Sequence, residues 1–399
     1  MSTKVFHSGM SGAPVLSGAA GAGIAILDAC LINGFGLVSI DNLVIAGGVG
    51  TITRSAGMPF ERDVMLLIAG VTGGAAAANG ERRVLSVATN SATIDCTGIA
   101  DQTATGSITA KLAPAGWVKE FAGSNLAVYK MSDVTSLGMR LRVDDTATTV
   151  MRVVGYESMS DINTGTGPFP TNAQIAGGGY WEKSGAAGAT ARNWCVIADE
   201  RAVYWWAVPN AVTSVTSQGV LRGFGDMVPR KSTDAYAAFL QCDQIVMVTS
   251  ATNVGDFGDG TRVPLVTCTA PRSWTGLGSS VFLGQYMESR RGNGTNVKSG
   301  STAALIYPNS CDNALDLDRV LATEADLSTR GFFPGLLHCP QQVGFAFASF
   351  DKLDGQGSLA GRRLMALRCG APGGTTQNST TGAGSFGVVF FDISGGWRS

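Results

Sequence analysis

The sequence predicts a mainly β protein, with one short N-terminal helix, a small N-terminal β-sandwich or barrel domain, and a larger β-sandwich-like domain after it. Glycine makes up 54 of the 399 residues and charged residues only 15%, against usual shares of ~7% and ~25%. Short apolar and polar runs recur between clusters of Gly, Asn and Asp, which is typical of short strands joined by tight turns. A hydrophobic content of 45%, with seven Trp, is far above that of a disordered chain.

Residues 1–37 are predicted to form an N-terminal arm that carries the short helix. Between residues 20 and 32, Ile24, Leu27 and Leu31 recur at helical spacing, and Gly34 suits the left-handed position that ends a helix. The opposite face of this helix is rich in small residues. The helix therefore either packs on its own domain or docks as an arm onto a neighbouring subunit, and the sequence leaves both alternatives open.

Residues 38–112 are predicted to form the small β domain. Short extended runs alternate here with Gly, Asn and Asp clusters, a spacing that indicates a small sandwich or barrel. Asn79-Gly80 has residue types that tolerate the positive φ angles of a hairpin turn. The predicted strands cover residues 38–40, 42–46, 49–54, 64–68, 83–88, 92–95 and 106–112.

Residues 113–399 are predicted to form the larger β-rich domain. Its clearest element is a hairpin, in which residues 139–143 alternate apolar and charged side chains and residues 150–154 resume the extended pattern after a turn. A second hairpin is predicted over 194–207. The run 386–391 is apolar on both faces, which predicts a central strand or a subunit contact. The polar stretch 312–330 is predicted to be a loop or a short helix.

Charge and cysteine content argue against several classes of function. A formal net charge of −1 provides no basic excess for a phosphate backbone, so we expect no nucleic-acid partner. No apolar run reaches the ~20 residues of a membrane span, so we expect no membrane insertion. Eight scattered cysteines without CxxC spacing are typical of reduced core residues in a cytoplasmic product. The sequence therefore predicts no metal and no cofactor.

Catalytic motifs are mostly absent, and we predict that the protein is not an enzyme. His7 and His338 are the only two histidines, so a Ser-His-Asp triad would have to use one of them. No G-x-S-x-G elbow and no phosphate-binding loop is present. His338, beside Cys339 and Pro340, is predicted to be a core or loop residue.

Three carboxylate pairs need weighing, because glycan hydrolases act through such pairs. Asp144-Asp145 and Asp199-Glu200 fall at predicted hairpin turns, and adjacent side chains in a strand face opposite ways. The third pair, in the segment 256–259, lacks the spacing of an EF-hand calcium loop. We expect a turn in all three places.

Aromatic residues are the better functional lead. Seven of them fall within residues 169–206, and Trp and Tyr are favoured at binding hot spots and can stack on sugars. Trp205 and Trp206 lie on opposite faces of a predicted strand, so they cannot both enter one core. Most of the seven are expected to fill cores. Phe169, Tyr180 and Trp181 lie in the most Gly- and Pro-rich stretch and form the candidate recognition surface.

Several motifs carry a resemblance to a known family. LRVDDT, VVGYESM and DINTGTGPFP, with Gly116-Trp117 ahead and WCVIAD behind, resemble a block found in tail-tip or baseplate proteins of long-tailed, Mu-like bacteriophages. The similar region covers about residues 116–206. In the small domain, GTIT, DVML, Asn79-Gly80 and TGSIT are similar to a β domain that recurs in phage fibre and tail proteins.

The resemblance implies a tail fibre-like structural protein of the virion tail, made in the host cytoplasm. Its expected partners are other tail or baseplate proteins, a host envelope receptor of protein or glycan, and copies of itself, with a trimer as one alternative. The low charge favours self-association, because interface cores are depleted of charge. Two alternatives remain: a purely architectural baseplate subunit without receptor contact, and a glycan depolymerase of the tail tip.

Overall fold

A computed structural model describes residues 2–209, 219–246, 266–287, 306–341, 343, 346–370 and 386–398 of the chain. Within these ranges the protein is mainly β, with 29 strands and one short α-helix, as the sequence predicts. The carboxylate pair in 256–259 lies outside the described residues.

The N-terminal residues add two strands to the rest of the chain. Strand β1 (Lys4–His7) pairs antiparallel with β18 (Trp194–Ala198). Strand β2 (Leu16–Gly18) pairs with β17 (Gly188–Arg192). The two pairings join segments about 170 to 190 residues apart in sequence, so the arm is part of the fold of its own chain.

The short helix follows these strands. Helix α1 (Ala22–Leu27) continues as a π-helical turn (Asp28–Asn33) and stops at Gly34, whose φ is 68°. Ile24, Leu27 and Leu31, predicted to share one side, are all buried in the largest core of the chain. This helix therefore packs on its own chain.

Eight strands between residues 35 and 112 form a sheet of their own, here called the small unit. They are β3 (Phe35–Ser39), β4 (Asn42–Ala46), β5 (Val49–Thr53), β6 (Met65–Ala69), β7 (Gly80–Ala88), β8 (Ser91–Asp95), β9 (Gln102–Thr103) and β10 (Thr109–Leu112), with a 3-10 turn at Gly73–Ala78. Their order is β3-β10-β6-β7-β8-β5-β4-β9. Strand β7 pairs with β6 through its first residues and with β8 through its last, so it joins both halves of the sheet.

The remaining strands form one extended antiparallel system. They are β11 (Val118–Gly123), β12 (Leu126–Lys130), β13 (Arg140–Asp144), β14 (Val150–Met159), β15 (Gly165–Phe169), β16 (Gly179–Glu182), β19 (Ala202–Ala207), β20 (Val220–Asp226), β21 (Val228–Pro229), β22 (Ala238–Asp243), β23 (Val266–Ala270), β24 (Val281–Met287), β25 (Asp318–Thr323), β26 (Thr329–His338), β27 (Lys352–Asp354), β28 (Arg363–Gly370) and β29 (Phe386–Asp392), with a 3-10 turn at Gly357–Leu359. Both hairpins predicted from the sequence, β13–β14 and β18–β19, are present.

A central group of strands lies between two other groups. Strands β18, β19, β20 and β22 pair side by side, and their side chains alternate between two hydrophobic cores. Trp205 lies in the core shared with β12–β16 and the helix, and Trp206 lies in the core shared with β25–β29. The alternation of a strand thus assigns the two neighbouring Trp rings to separate cores, as predicted.

Strand β29 is a central strand with both faces covered. It pairs with β26 on one side and with β28 on the other. Val389 and Phe391 enter one hydrophobic core, whereas Val388 and Phe390 enter another. The doubly apolar run is thus explained within the chain itself.

Ion pairs connect the small unit to the C-terminal strands. Arg363 Nε lies 3.0 Å from Asp63 Oδ2, and Lys352 Nζ lies 3.3 Å from Glu61 Oε2. His7 Nε2 lies 3.1 Å from Glu61 Oε1. Burial alone would raise the pKa of Glu61, but the bonds and charges of His7 and Lys352 lower it to about 2. This junction is therefore polar and charge-paired.

Candidate functional site

The structure buries two of the three aromatic residues predicted to form a recognition surface. Phe169 ends β15 and is 0% exposed, with its ring centroid 6.1 Å from that of Phe224. Trp181, in β16, is also 0% exposed, and its ring lies 6.4 Å from that of Trp205. Its indole Nε1 donates to the Gln241 carbonyl oxygen at 2.8 Å. The prediction that these two rings are exposed is wrong, and neither reaches a partner.

The glycines before Trp181 account for this error. A Cβ atom on Gly179 would lie 2.2 Å from the Cys242 Sγ atom, and one on Gly178 would lie 2.7 Å from the Val153 carbonyl oxygen. Glycine in a strand often marks a close approach of another backbone or side chain. The Gly-rich stretch is therefore a tightly packed strand junction, where an exposed loop was expected.

Tyr180 is the member of this trio that reaches the surface, and it is partly exposed. The Arg152 guanidinium covers its ring at 3.8 Å from the centroid and donates to its Oη atom at 2.6 Å. The same guanidinium donates to the Gly178 carbonyl oxygen. One face of the ring is thus occupied within the chain, and a recognition role for Tyr180 stays a prediction.

Asp145, expected in a turn, is a fully buried structural residue. Its Oδ2 atom accepts hydrogen bonds from the backbone N–H groups of Gly23 and Ile24, at 2.7 and 3.0 Å. Its Oδ1 atom accepts a bond from Lys183, which is equally buried. Asp144 instead closes the turn, through the Thr146 N–H and hydroxyl. This pair therefore faces two different environments and forms no acid–base couple.

The pair Asp199 and Glu200 is likewise divided between two partners. Asp199 Oδ1 accepts the backbone N–H groups of Arg201 and Ala202, at 2.8 and 2.7 Å, which caps the turn between β18 and β19. Its other oxygen pairs with Arg398. Glu200 lies 3.8 Å from Lys4. Both carboxylates thus hold chain segments together, in the turn that the sequence predicts.

The two histidines occupy unrelated places. His7 stacks on Phe350 with ring centroids 4.5 Å apart and contacts Glu61. His338 ends β26 and is 1% exposed, and burial lowers its pKa to about 4. His338 is therefore a neutral core residue at neutral pH, as the sequence predicts. Seven of the eight cysteines are buried, and all eight are unpaired.

A second carboxyl cluster, unnoticed in the sequence, is closed to solvent. Arg222 donates to both oxygens of Asp243, at 2.9 Å from Nε and 2.6 Å from Nη2. Glu182 hydrogen-bonds to Asp243, and burial, followed by the Asp243 charge, raises the pKa of Glu182. All three side chains are 0% exposed. The cluster resembles an acid–base pair in composition, but a substrate has no access to it.

The described surface offers a cleft of about 470 Å³ with an aromatic ring at its mouth. Trp274, in the loop between β23 and β24, is 50% exposed. The facing wall comes from the segment after β21 and from the turn between β25 and β26. The cleft is lined by Arg230, Lys231, Asp234, Trp274, Glu324, Asp326, Ser328, Thr329 and Arg330. We call this site the Trp274 cleft.

One buried guanidinium holds the three walls of the Trp274 cleft together. Arg330, with its side chain 1% exposed, pairs with Asp234 through Nε and Nη2, at 2.8 and 3.1 Å. Its Nη1 atom donates to the Arg272 carbonyl oxygen and to Glu324, at 2.6 and 3.1 Å. Its Nη2 atom also donates to the Tyr236 carbonyl oxygen at 2.7 Å. All five donors of the guanidinium are used, so the cleft is held in one shape.

The charges at the solvent-facing side of this cleft, unlike that of Arg330, are not all paired within the part of the chain that the structure describes. Lys231 Nζ lies 5.1 Å from the Trp274 ring centroid. Within the described residues, neither Lys231 nor Arg230 has a carboxylate partner. Asp326, the exposed carboxylate of the lining, accepts the N–H and hydroxyl of Ser328 at 2.9 and 2.6 Å. The mouth of the cleft therefore combines an aromatic face, two cations without carboxylate partners in the described ranges and one exposed carboxylate, Asp326, which is bonded to Ser328.

The arrangement suits binding better than acid–base chemistry. Asp234 and Glu324 both accept hydrogen bonds from Arg330. Glu324 also accepts a hydrogen bond from the backbone N–H of Trp274 at 3.2 Å. A general acid or base has to reach a proton on the substrate, and these carboxylates are committed to the walls. In the part of the chain that the structure describes, no three His, Cys, Asp or Glu side chains are grouped to hold a metal ion.

Sequence reasoning missed the Trp274 cleft. The local sequence does carry a signal of an exposed aromatic residue, because Trp274 lies between Pro271 and Gly276 in a polar segment. Trp181 follows glycines in a similar way, yet it is buried. The other lining residues come from chain segments about 40 to 50 residues away on either side. Only the pairing of β21, β24 and β25 with their neighbours brings them together.

Comparisons with known families and curated proteins found no match, so the function has to be inferred from the contacts described above. No family model matches the chain, and no curated protein matches it either. Among the described residues, no helix combines the length and apolarity that crossing a membrane requires.

Proposed function

We propose that this protein is a structural and adsorption component of a bacteriophage tail tip. The resemblance block, about residues 116–206, supports this proposal through the place that it occupies in the fold. It supplies β11–β16 and most of the central strands β18 and β19. Strands β12–β16 contribute to the largest core, and β18 and β19 contribute both to this core and to the core shared with β25–β29. The block therefore lies at the centre of the packing, which fits a structural role.

The Trp274 cleft is the observation that carries the adsorption role. A half-exposed Trp on a loop held by buried ion pairs is a preformed contact point, and recognition residues usually lie on loops that a rigid scaffold positions. Aromatic side chains also dominate the energetics of many interfaces. The cleft thus provides a surface for a host envelope component, while other faces of the chain contact tail proteins and further copies of itself.

The architectural and enzymatic alternatives differ from this proposal in what they require. A purely architectural subunit needs no exposed aromatic cleft, although it could use one for a neighbouring tail protein. A depolymerase needs two carboxyl groups on opposite sides of a glycosidic bond. The carboxyl groups of Asp234 and Glu324 are held by the same guanidinium, Arg330, which argues against that role for the cleft.

Location and adsorption can be tested on phage particles. Gold-labelled antibodies against the chain should decorate one end of the tail in electron micrographs, and label on the capsid, or on no particle, would contradict the virion role. Purified chain should compete with particles for adsorption to host cells. The Trp274→Ala variant should compete poorly, while Leu277→Ala, which changes an exposed residue of the same loop, should compete as the unchanged chain does.

The enzymatic alternative has its own measurement. Host envelope polysaccharide incubated with purified chain should release no reducing ends above a buffer control. A steady, protein-dependent release that persists in independent preparations would favour the depolymerase instead.

A further inference from the structure

We infer that the ligand of the Trp274 cleft is an acidic saccharide, one that carries a carboxylate on its sugar ring. This inference rests on the proposed function, because it takes the ligand from the surface to which the tail adsorbs. It specifies which chemical class the cleft accepts and which side chains recognise each part.

The size of the cleft favours a small ligand or a few units of a polymer. Its volume of about 470 Å³ falls within the range of ~300–1,000 Å³ that small-molecule sites occupy. A stable protein partner would cover about 800 Å² on each side. The lining contains a single aromatic residue among polar ones, which is a poor match for the apolar centre of a protein interface.

Two kinds of group in the lining suit an acidic sugar: the apolar face of Trp274 and the positive charges of Lys231 and Arg230. The exposed Trp274 ring provides an apolar face against which the C–H face of a sugar can stack. Lys231 Nζ lies 5.1 Å from the centroid of this ring, and Arg230 lines the same cleft. Neither has a carboxylate partner among the described residues. A carboxylate on the sugar would pair with these cations, and arginine binds such a group through two parallel hydrogen bonds. Ser328 and Thr329 add hydroxyl groups for the sugar hydroxyls.

The buried ion pairs beneath the lining explain why such a ligand would bind without reorganising the site. Arg330 joins Asp234, Glu324 and two backbone carbonyl oxygens, so its charge is already satisfied. Arg272 pairs with Glu157 at 2.6 Å and its guanidinium lies 4.9 Å from the Tyr236 ring centroid, which fixes the base of the Trp274 loop. A preorganised site loses less free energy on binding, because fewer groups have to be ordered.

Isothermal titration calorimetry of the full chain with two matched probes tests the assignment. Tetragalacturonate carries a carboxylate on each sugar, and its methyl ester has the same size and shape without the charge. We expect saturable binding of the acid, binding of the ester at least about tenfold weaker, and weakening of the acid by salt. Lys231→Ala combined with Arg230→Ala should reduce the affinity for the acid to that for the ester.

Variants of the ring separate recognition from folding. Trp274→Ala should weaken binding of the acid by about tenfold or more, whereas Trp274→Phe should retain part of it and Leu277→Ala all of it. Equal binding of acid and ester would overturn the charge assignment. Binding that survives Trp274→Ala, or no saturable binding of either probe, would overturn the saccharide site.

A protein ligand would give a different pattern. If Trp274→Ala abolished incorporation of the chain into particles while neither probe bound, the cleft would be a contact for a tail protein and the saccharide inference would be wrong. Labelling of the tail tip would survive that result, so the proposed virion role and the ligand of the cleft fail independently.

Discussion

Replacing Trp181 with alanine tests whether the Gly-rich stretch is core or surface. The indole is 0% exposed, lies 6.4 Å from the Trp205 ring and donates a 2.8 Å hydrogen bond to the Gln241 carbonyl oxygen. Removing it opens a cavity between β16 and the central strands and removes this buried hydrogen bond. An exposed Trp in the same position would lose none of these contacts.

The expected magnitude follows from these contacts. Truncation of a buried Trp to alanine costs about 3–5 kcal/mol of unfolding free energy. The lost hydrogen bond shifts the value toward the upper end, since an intramolecular hydrogen bond contributes about 0.5–1.5 kcal/mol to stability. Domains are typically stable by about 5–15 kcal/mol. At the upper end of this range, we expect Trp181→Ala to lose about a third or more of the unfolding free energy of the protein.

Denaturant unfolding followed by far-ultraviolet circular dichroism measures this loss. Trp181→Phe retains most of the ring and should lose clearly less than the alanine variant, and Trp274→Ala, which removes a half-exposed Trp, should lose about 1 kcal/mol or less. If Trp181→Ala unfolded within about 1 kcal/mol of the unchanged chain, Trp181 would not be a core residue and the burial argument for this stretch would be refuted.

Three further predictions concern buried or paired charges. Burial raises the pKa of Glu182, so this carboxyl binds a proton more tightly in the folded protein than in the unfolded chain, and stability is lost as pH rises above 4.5. Glu182→Gln keeps a neutral group beside Asp243. This variant should therefore melt at a higher temperature than the unchanged chain at pH 8, by a margin that grows with pH. Lys183→Met leaves the buried Asp145 carboxylate without its cation and should cost about 3–5 kcal/mol in denaturant unfolding. The pKa of Glu61 is lowered to about 2, so the stabilisation that the ionised carboxylate provides is present above pH 4.5 and lost as pH falls toward 2. Glu61→Gln should therefore have a lower melting temperature than the unchanged chain at pH 7 and the same melting temperature at pH 2.

Controls for these three variants use the same partners. A Glu182→Gln variant that melts lower at every pH would show that the carboxyl is ionised in its cluster. Adding Asp145→Asn to Lys183→Met should recover part of the loss. No recovery would mean that the loss comes from other contacts of the ammonium, such as its hydrogen bond to the Ala19 carbonyl oxygen, and not from an unpaired Asp145 charge. A Glu61→Gln difference that is constant from pH 7 to pH 2 would contradict the ion-paired junction.

Much of the fold follows from local pattern. The alternation in residues 139–143 and the turn after them predict the hairpin β13–β14, because a strand with one buried face needs that period. The same rule assigns Trp205 and Trp206 to opposite cores. The sequence predicts a loop or a short helix over residues 312–330. This is wrong for residues 318–323, which form β25, and for residues 329–330, which begin β26. The polar residues of the segment flank a short apolar run, and pairing with β24 and β26 decides its conformation.

The candidate site was harder to predict from the sequence, because glycine occurs both where strands pack closely and in exposed turns. Gly178 and Gly179 signal close packing against Val153 and Cys242. Gly278, in the Trp274 loop, is instead exposed with a φ of 79°, and a Cβ there would meet no atom within 4 Å. A single sequence does not distinguish the two cases, since both need a residue without a side chain. Nor does it show that Arg330 joins three distant segments, because each of its partners is unremarkable in its own local context.

The pairing of β1 with β18 has a consequence for synthesis. Residues 4–7 leave the ribosome well before their partner strand, residues 194–198. The partner follows about 190 residues later, which is about 10–40 s of elongation at ~5–20 residues per second. The small unit has all its strands by residue 112 and can close much earlier. During that interval β1, with the apolar Val5 and Phe6, lacks its sheet neighbour, and unpaired strands tend to associate with other chains. Nascent chains of this protein should therefore depend on chaperones until β18 has emerged.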